Sequence, residues 1–443
     1  MSNKTNKQPR TLQGFHDYFA NDVYLRNFVK EIFRSTFEKY GYEPLETPAL
    51  EYSELMLGQS GEDAEKQYYR FTDNGGRDVM LKFEIMISMC RAYAQNINSI
   101  PLPYKRYQIQ NVWRAEKVQK GRYREFTQID ADTIGSKSII CDAEFIAMGI
   151  EILEKLGFED FEARINNRKI LEGLAEYMHL PKENYYGFFM SIDKLEKVGE
   201  EQVINELSTI RGITKEIAKD ALELILGKDV RNISFNALLD YFEKTVGKSA
   251  IGSEGLAELK EINEYLKIND IDEKHFRFDP SIARGLASYT GPVWEFAILD
   301  GHVGSISGGG RYDNAISKYL GQSIPATGGS FGLERICDII KERNLFDYKP
   351  GTKVLVSNFS PTAYATNLRI LKGLREKGIS TIFYPDNTKL DKQLKYADRK
   401  GIRHVLIIGE DELRNNTCIL RDMKDRTQLT LQISELTQNI LKE

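Results

Sequence analysis

Five arginines stand beside glycine-rich segments or at the ends of predicted strands: Arg114, Arg122, Arg284, Arg311 and Arg335. A guanidinium group can bind a phosphate or a carboxylate through two parallel hydrogen bonds, and it stays charged at any working pH. These arginines are therefore the candidates for a site that binds an anion.

Arg335 has the most informative local context. The segment FGLERICDIIKER predicts an amphipathic helix whose apolar face consists of Leu333, Ile336, Cys337 and Ile340. Arg335 lies outside this face in the first helical turn, where a cation opposes the helix dipole by roughly a few tenths of a kcal/mol. An anion bound between the Arg335 side chain and the start of the helix would offset this cost. A surface salt bridge to an acidic neighbour is the alternative, and the pattern alone leaves both open.

A second group of polar residues lies in a predicted strand. Two strands joined by the basic loop EKVQKGRYRE are expected between Tyr104 and Ile134. In the second strand, the alternation of side chains places Gln128, Asp130 and Asp132 on one face. A strand face this rich in polar residues suggests the wall of a pocket.

Two familiar kinds of site are not supported. The glycines of SGGGRYDN lack the GK[ST] of a P-loop, and GxGxxG does not occur, so these glycines mark either a bulge or a close approach of the backbone. The five histidines show no HxxxH or HExxH spacing, and the four cysteines form no CxxC. We therefore expect no protein metal site and no disulfide framework, as in a reducing cytoplasm.

Composition limits the possible partners. A chain of 443 residues with 41% hydrophobic content can form at least two cores. Its net charge of -4 provides no global attraction to a nucleic acid, so any such binding requires local basic patches. No apolar run approaches the roughly 18 residues of a membrane span, and the opening MSNKTNKQPR lacks the apolar core of a signal peptide. No membrane association is expected.

The N-terminal region predicts a long helix followed by an edge strand. Apolar residues recur at intervals of three and four between Asp22 and Gly41, with Asp22 as a possible cap and Gly41 as the end. In the following YEPLETPALEY, Pro44 and Pro48 permit an edge strand but not a central one. These elements either form a dimer interface or pack on their own domain, and the pattern leaves both open.

The order of elements predicts an α+β domain with an antiparallel sheet, interrupted by a helical insertion and followed by an α/β domain. The insertion contains helical patterns such as KEIAKDALELIL, whereas strands and helices alternate from KVLVS onward. The predicted boundaries are 1–12 for a disordered tail, 13–169 and 277–343 for the first domain, 170–276 for the insertion, 344–351 for a linker and 352–443 for the last domain.

Several of these segments resemble the class II aminoacyl-tRNA synthetases, and specifically the histidyl-tRNA synthetase family. YEPLETPALEY resembles the first class II motif with Pro48 as its proline, VWRAEKVQKGRYREFTQIDAD the second, and GSFGLERI the third. ARGLASYTG and SGGGRYDN are similar to the two histidine-specific signatures. KVLVS through HVLIIGEDEL resembles the anticodon-binding domain of the family, so the resemblance runs from about Gln13 to the end, in the family's order.

The resemblance implies a role for each matching residue. It assigns ATP to Arg114, Glu116, Arg122 and Arg335, and histidine to Glu84, Gln128, Asp132, Arg284, Tyr289 and Tyr312. Arg284, Arg114 and Gln128 are the expected catalytic residues, and Arg284 occupies a place where related synthetases hold a magnesium ion. The implied substrates are L-histidine, ATP with its Mg²⁺, and tRNA(His), and the implied assembly is a homodimer.

Two basic clusters are candidates for tRNA contacts. Helical spacing in KLDKQLKYADRK places Lys389, Lys392, Lys395 and Arg399 on one side, opposite an apolar face. The second cluster, Lys117, Lys120, Arg122 and Arg124, lies in the loop that, by resemblance, faces the acceptor end of the tRNA. Lysines on an exposed helix also serve solubility alone, so a single stripe does not decide the matter.

The chain departs from the family pattern in two places. Met86 stands where the family usually has Thr, which removes a hydroxyl from the amino-group site. RGLDYY appears as RGLASY, so Ala287 and Ser288 replace an acid and a tyrosine, whereas Arg284 and Tyr289 on either side are retained.

Non-catalytic relatives are the alternative. The regulatory subunit of ATP phosphoribosyltransferase resembles the catalytic core but typically lacks the anticodon-binding domain and the ATP arginines, both of which this chain keeps. An RNA-binding pseudo-synthetase is favoured only if the altered ARGLASY abolishes activation. The motifs therefore favour an active synthetase.

Overall fold

The computed structural model describes residues 9–57, 68–118, 121–227, 230, 233–284, 289–299, 304–347 and 351–441. The chain divides into two compact units between Phe346 and Asp347, inside the predicted linker. Of the predicted tail, residues 1–8 lie outside the described ranges. Among the described residues, no helix is long and apolar enough to cross a membrane.

The first unit is built on two sheets. Its described strands are β1 (Glu43–Pro44), β2 (Leu50–Tyr52), β3 (Arg70–Thr72), β4 (Asp78–Leu81), β5 (Tyr104–Trp113), β6 (Glu125–Ile134), β7 (Phe161–Asn167), β8 (Phe276–Phe278), β9 (Pro292–Ile298), β10 (Ser307–Arg311) and β11 (Ala326–Gly332). Eight of them form one sheet in the order β1-β5-β6-β11-β10-β9-β7-β8, and the others form the small sheet β2-β4-β3. The large sheet is antiparallel, as predicted, except for a parallel pair at each edge.

The described helices of this unit are α1 (Ala20–Lys39), α2 (Ser53–Leu57), α3 (Met86–Gln95), α4 (Ile140–Lys155), α5 (Arg168–Tyr177), α6 (Tyr185–Ile192), α7 (Leu195–Val198), α8 (Glu200–Thr209), α9 (Lys215–Leu226), α10 (Phe235–Glu243), α11 (Ala250–Ile268), α12 (Ser317–Leu320) and α13 (Leu333–Glu342). Helices α5 to α11 follow β7 and precede β8, where the insertion was predicted. The side chains of Thr214, Ser234 and Ser249 cap the starts of α9, α10 and α11.

Both ends of the insertion differ slightly from the predicted 170–276. Helix α5 begins at Arg168, and Phe276 belongs to β8, which pairs with β7. The capping prediction for α1 was wrong, because Phe19 is its N-cap residue and Asp22 accepts a hydrogen bond from Lys341 instead. The predicted end at Gly41 is confirmed by its positive φ of 79°.

The two faces of the large sheet have different environments. On one face, Ile129, Ala131 and Phe331 are fully buried in the main core, where Phe331 meets Phe33 of α1 at 5.0 Å between ring centroids. The other face carries the alternate residues of the same strands, beginning with the polar side chains of β6. Burial of large apolar side chains, each contributing about 1.5–3 kcal/mol, thus fixes which side chains reach the opposite face.

The second unit contains β12 (Val354–Val356), α14 (Tyr364–Glu376), β13 (Thr381–Phe383), α15 (Leu390–Arg399), β14 (His404–Ile407), α16 (Glu410–Asn415), β15 (Thr417–Asp422), β16 (Gln428–Gln432) and α17 (Leu436–Leu441). Its sheet has the order β13-β12-β14-β15-β16. The first three strands are parallel, which confirms the α/β prediction. The antiparallel strands β15 and β16 extend it and were not predicted.

Candidate active site

A cavity of about 280 Å³ lies on the polar face of the large sheet and brings together four of the five candidate arginines. Arg114 follows β5, Arg122 precedes β6, Arg284 follows β8, and Arg335 lies in the first turn of α13. Gln128 and Glu116 line the same cavity. Ser307 and Gly308 of SGGGRYDN also line it, so the second motif, the third motif and both histidine signatures converge in space, although they are far apart in sequence.

The guanidinium groups are held by neutral partners. Arg114 donates from Nε to the Phe83 carbonyl at 3.0 Å, and its guanidinium lies 5.1 Å from the centroid of the Phe126 ring. Arg335 donates to the carbonyl oxygens of Ser305, at 2.5 Å, and Gly121, at 3.4 Å. Backbone carbonyls and a ring fix these side chains without neutralising their charge.

The positive charges in the cavity repel one another. Within the described residues, Arg114, Arg122 and Arg335 form no ion pair with a carboxylate. Burial, and then the nearby charges of Arg122, Arg284 and Arg114, lower the pKa of Arg335. Cations that lie close together and are not paired with a carboxylate form a site for a polyanion such as a triphosphate.

Arg284 differs from the other three because a buried carboxylate holds it. Its Nε lies 2.7 Å from Oε2 of Glu295 in β9, a residue only 4% exposed. Arg164 of β7 lies on the other side of this carboxylate, 3.6 Å from Oε1, and also pairs with Glu196 of α7. Burial raises the pKa of Glu295, and the two arginines oppose that rise. The sequence pattern indicated Arg284 but not Glu295, whose partners are distant along the chain.

Buried acidic groups cluster beyond the arginines. Asp132 accepts a hydrogen bond from the Tyr312 hydroxyl and pairs with Arg106, which is fully buried in β5. Burial raises the pKa of Asp132, whereas Arg106 and Tyr312 lower it. Burial also raises the pKa of Glu84, which lies just before α3.

Tyr289 faces the same acidic cluster. Burial, followed by the negative charges of Asp132, Glu84 and Asp130, raises its pKa well above its usual range. The hydroxyl therefore stays protonated and available as a donor. Within the described residues, the histidine-site candidates thus lie together, whereas Ala287 and Ser288 fall outside the described ranges.

Glycines make room on this face of the sheet. Gly328 of β11 lies opposite Asp132, and a Cβ there would stand 2.2 Å from Oδ1 of Asp132. In the run SGGGRYDN itself, a Cβ on Gly309 would stand 2.5 Å from the carbonyl oxygen of Gly328, and one on Gly310 would stand 2.7 Å from that of Pro292. This glycine run is thus explained by close approach of the neighbouring strands rather than by a phosphate loop.

Arg311 does not belong to this cavity, so its place among the anion-binding candidates was wrong. Its guanidinium is buried, donates to the carbonyl oxygens of Ser136 and Ser138, and pairs with Asp142 of α4. All these partners come from another part of the chain. Arg311 therefore fixes the start of α4 against β10.

A buried ion pair positions the helix that carries Arg335. Glu334 accepts hydrogen bonds from the Thr127 backbone at 3.1 and 3.0 Å, and from Arg26 of α1 at 2.8 Å. Arg26 also donates to the Thr127 hydroxyl at 2.9 Å. Helices α1 and α13 and strand β6 are thereby joined beside the cavity, a contact that the sequence did not reveal.

The basic loop residues are not equivalent. Lys117 and Arg122 are exposed, whereas Lys120 lies outside the described ranges. Arg124 donates from Nε to the Glu116 carbonyl at 3.1 Å, and its backbone N–H donates to Gly14. Arg124 thus holds the base of the loop, so its side chain is less available to a ligand than those of Lys117 and Arg122.

The predicted basic stripe in the second unit is present. Lys389, Lys392, Lys395 and Arg399 are all exposed on or beside α15. Lys395 pairs with the equally exposed Asp391 at 2.8 Å, a contact of little energetic weight. The opposite face buries Ala397 and, less expectedly, Gln393, which donates to the carbonyls of Asn358 and Thr388.

A larger cavity of about 690 Å³ adjoins the first and shares Arg122, Arg284 and Arg335 with it. Its far wall comes from the insertion, at Ile192 to Lys197. Among the described residues, no group of three or more His, Cys, Asp or Glu side chains could hold a metal ion.

Family profiles match nearly the whole chain. The profile described as "Histidyl-tRNA synthetase" matches residues 14–336, and the one described as "Anticodon binding domain" matches residues 353–443. The chain is 37% identical over 422 residues to the histidine–tRNA ligase of Wolinella succinogenes, covering 94% of both chains.

Solved structures share the fold. The crystal structure of histidyl-tRNA synthetase from Nostoc sp. PCC 7120 matches with a TM-score of 0.87 and 29% identity, covering 98% of this chain and 99% of that one. An ATP phosphoribosyltransferase regulatory subunit/histidyl-tRNA synthetase from Bacillus halodurans matches with a TM-score of 0.74 over 87% of this chain and 96% of that one. Its identity of 18% supports a common fold only.

Proposed function

Because the chain belongs to the histidyl-tRNA synthetase family, we propose that it forms histidyl-adenylate from L-histidine and ATP and then transfers the histidyl group to tRNA(His). It is a class II aminoacyl-tRNA synthetase with a catalytic and an anticodon-binding domain. The observation that carries the proposed chemistry is the placement of clustered arginines beside buried carboxylates on one face of the sheet.

In the first step, a carboxylate oxygen of histidine attacks the α-phosphorus of ATP, and pyrophosphate leaves. The two reacting groups are both anionic, so fixed cations lower the barrier by stabilising the added charge. Arg114 and Arg284 would contact the α-phosphate and the carboxylate, and Arg122 and Arg335 the leaving pyrophosphate. Glu116 would receive the adenine.

Histidine selection would use the acidic end of the site. An ammonium group fits near Glu84 and Gln128, and an imidazole fits near Asp132 and Tyr289, where a carboxylate and a protonated phenol can each bond one ring nitrogen. Tyr312 holds the Asp132 carboxylate in place. Met86, at the start of α3, offers no hydroxyl to this site.

In the second step, a hydroxyl of the terminal ribose of tRNA attacks the carbonyl carbon of the adenylate, and AMP leaves. The cavity of about 690 Å³ between the catalytic domain and the insertion offers space for the end of the tRNA. Lys117, Lys120 and Arg122 would contact the acceptor end, and the stripe on α15 the anticodon end.

Magnesium enters this scheme as the ion bound to ATP. Near the arginines, the Glu334 and Glu295 carboxylates are already engaged by protein donors, which fits the absence of a dedicated metal cluster among the described residues. When bound, the ion would neutralise phosphate charge. The protein's own contribution is the set of fixed guanidinium groups.

We also propose a cytoplasmic homodimer. Large apolar side chains on α1 and on the small sheet are exposed, among them Val23, Leu50, Tyr52 and Phe71. Such surfaces commonly mark an interface. The four cysteines are free, as in a reducing compartment.

Histidine-dependent exchange of pyrophosphate into ATP by the purified full chain tests the first step. Charging of tRNA(His) tests the second. We expect both activities, with no exchange for other amino acids. A regulatory subunit or a pseudo-synthetase would give neither activity, and that result would overturn the proposal.

A further inference from the structure

We propose that Asp130 is a further amino-acid-binding residue, whose carboxylate accepts the α-ammonium group of histidine together with Gln128. The inference rests on the proposed function, because it deepens the account of the same site. The family resemblance assigns no role to Asp130.

The position of Asp130 places it between two expected histidine ligands. It is the middle residue of Gln128, Asp130 and Asp132, which alternate along one face of β6. Its neighbours across the sheet are Gln108 in β5 and Ser330 in β11. Asp130 is only 5% exposed, so its hydrogen-bonding groups must find partners inside the protein or in a bound ligand.

Two acceptors of this group remain unused. In the described part of the chain, Oδ1 of Asp130 and Oε1 of Gln128 are buried without a hydrogen-bond donor. The amide nitrogen of Gln128 donates to Ser330 at 3.1 Å, which fixes the amide. A buried acceptor without a partner costs about 1–3 kcal/mol. An ammonium group carries three donors and would satisfy both acceptors at once.

Asp132 is less suited to this task than Asp130. One oxygen of Asp132 receives the Tyr312 hydroxyl, and the other pairs with Arg106. Its charge is therefore compensated within the protein, whereas Asp130 keeps an oxygen free for a donor. The two carboxylates thus divide the amino acid between them, with Asp132 on the imidazole side and Asp130 on the ammonium side.

The charges around Asp130 favour a cationic ligand. Burial raises the pKa of Asp130 to about 7, an effect that Arg106 and a hydrogen bond with Ser330 oppose and that the carboxylates of Asp132 and Glu84 reinforce. Lys82 and Tyr289 are the other titratable groups that interact with it. Below pH 7 the carboxyl carries a proton, which the ammonium group must displace. Histidine affinity should therefore rise with pH through this range.

A comparison of ligands on the full-length protein separates the ammonium contact from other effects. Histidine and histidinol both carry the amino group, whereas imidazolepropionate lacks it. Their affinities are measured by calorimetry for the wild type and for Asp130→Asn. We expect the variant to bind histidine and histidinol about tenfold more weakly, the loss of one charged hydrogen bond, and to bind imidazolepropionate unchanged. An equal loss for all three ligands, or no loss, would overturn the proposal.

A measurement on the wild type covers the case in which the variant does not fold. Calorimetry at pH 7 in two buffers of different ionisation enthalpy counts the protons released on binding. Histidine should release more protons than imidazolepropionate, and the difference is the contribution of the ammonium group. Equal release would contradict the role of Asp130. These experiments need binding only, so a protein that binds histidine but lacks pyrophosphate exchange would refute the proposed function separately.

Discussion

Glu295 is expected to act on catalysis only through Arg284. Its carboxylate lies between the guanidinium groups of Arg284 and Arg164, at 2.7 and 3.6 Å. In Glu295→Gln, the amide oxygen can still accept from Arg284, but the amide nitrogen then faces Arg164 as a second donor. Arg164 keeps Glu162 and Glu196 as partners, so the fold should survive.

The size of the effect follows from the bond that changes. A hydrogen bond between charged groups is worth roughly twice a neutral one, so the substitution removes about 1–1.5 kcal/mol from the contact that orients Arg284. Because Arg284 is 47% exposed, solvent screening keeps this loss at the lower end of what a charged hydrogen bond contributes. About 1.4 kcal/mol corresponds to a tenfold slower step. Removal of the cation itself in Arg284→Ala should cost about a hundredfold or more.

Pyrophosphate exchange on the two single variants and the double variant forms the test. If Glu295 works through Arg284, the double variant should be no slower than Arg284→Ala, and the loss in Glu295→Gln should appear in kcat with little change in the KM for ATP. Glu162→Gln is the matched control, because Glu162 pairs with Arg164 and Arg277 but not with Arg284. The reasoning would be refuted if the losses of exchange activity multiplied in the double variant. It would also be refuted if Glu162→Gln lost as much activity as Glu295→Gln.

Three further outcomes are expected. Arg335→Ala should lower kcat/KM for ATP by about a hundredfold, since it removes one preorganised cation, while the KM for histidine stays near the wild-type value in steady-state exchange. Light scattering at micromolar concentration should give about twice the monomer mass of 50.8 kDa, and a monomer would contradict the dimer proposal. Reversal of Lys392 and Lys395 to Glu should weaken tRNA binding and flatten its salt dependence in filter-binding assays. Pyrophosphate exchange without tRNA should be unchanged in this variant. A Lys372→Glu control should bind tRNA like the wild type.

The architecture could be predicted from the sequence because it follows from local patterns of apolar and polar residues. Alternation in β6 and the periodicity of α1 and α13 gave the elements, and burial of their apolar faces fixed which residues point away from the core. The position of Arg335 in the first turn, outside the apolar face, was predicted in this way. The neighbouring cations that lower its pKa come from two other segments, one with Arg114 and Arg122 and one with Arg284.

Long-range pairing limited what the sequence could show. Arg311 and Arg335 both lie beside glycine-rich segments and were both candidates for anion binding. Arg311 is neutralised by Asp142, whereas Arg335 is not paired with any carboxylate in the described residues. The same holds for Glu295 and for Arg26 with Glu334, whose partners lie far away along the chain. Which charges are compensated is a property of the fold.

The distribution of compensated charges explains how one face of a sheet can bind a zwitterion and a triphosphate side by side. Near the clustered arginines, carboxylates such as Glu334 are engaged by protein donors, so the uncompensated charge is positive. Further along β6, Arg106 pairs with Asp132, whereas Asp130 and Glu84 form no ion pair with a cation among the described residues, so negative charge prevails there. Under the proposed function, the carboxylate of a bound amino acid would be drawn toward the arginines and its ammonium group toward Asp130. That orientation would bring the nucleophilic oxygen to the α-phosphate, so substrate selection and activation would depend on the same gradient of charge.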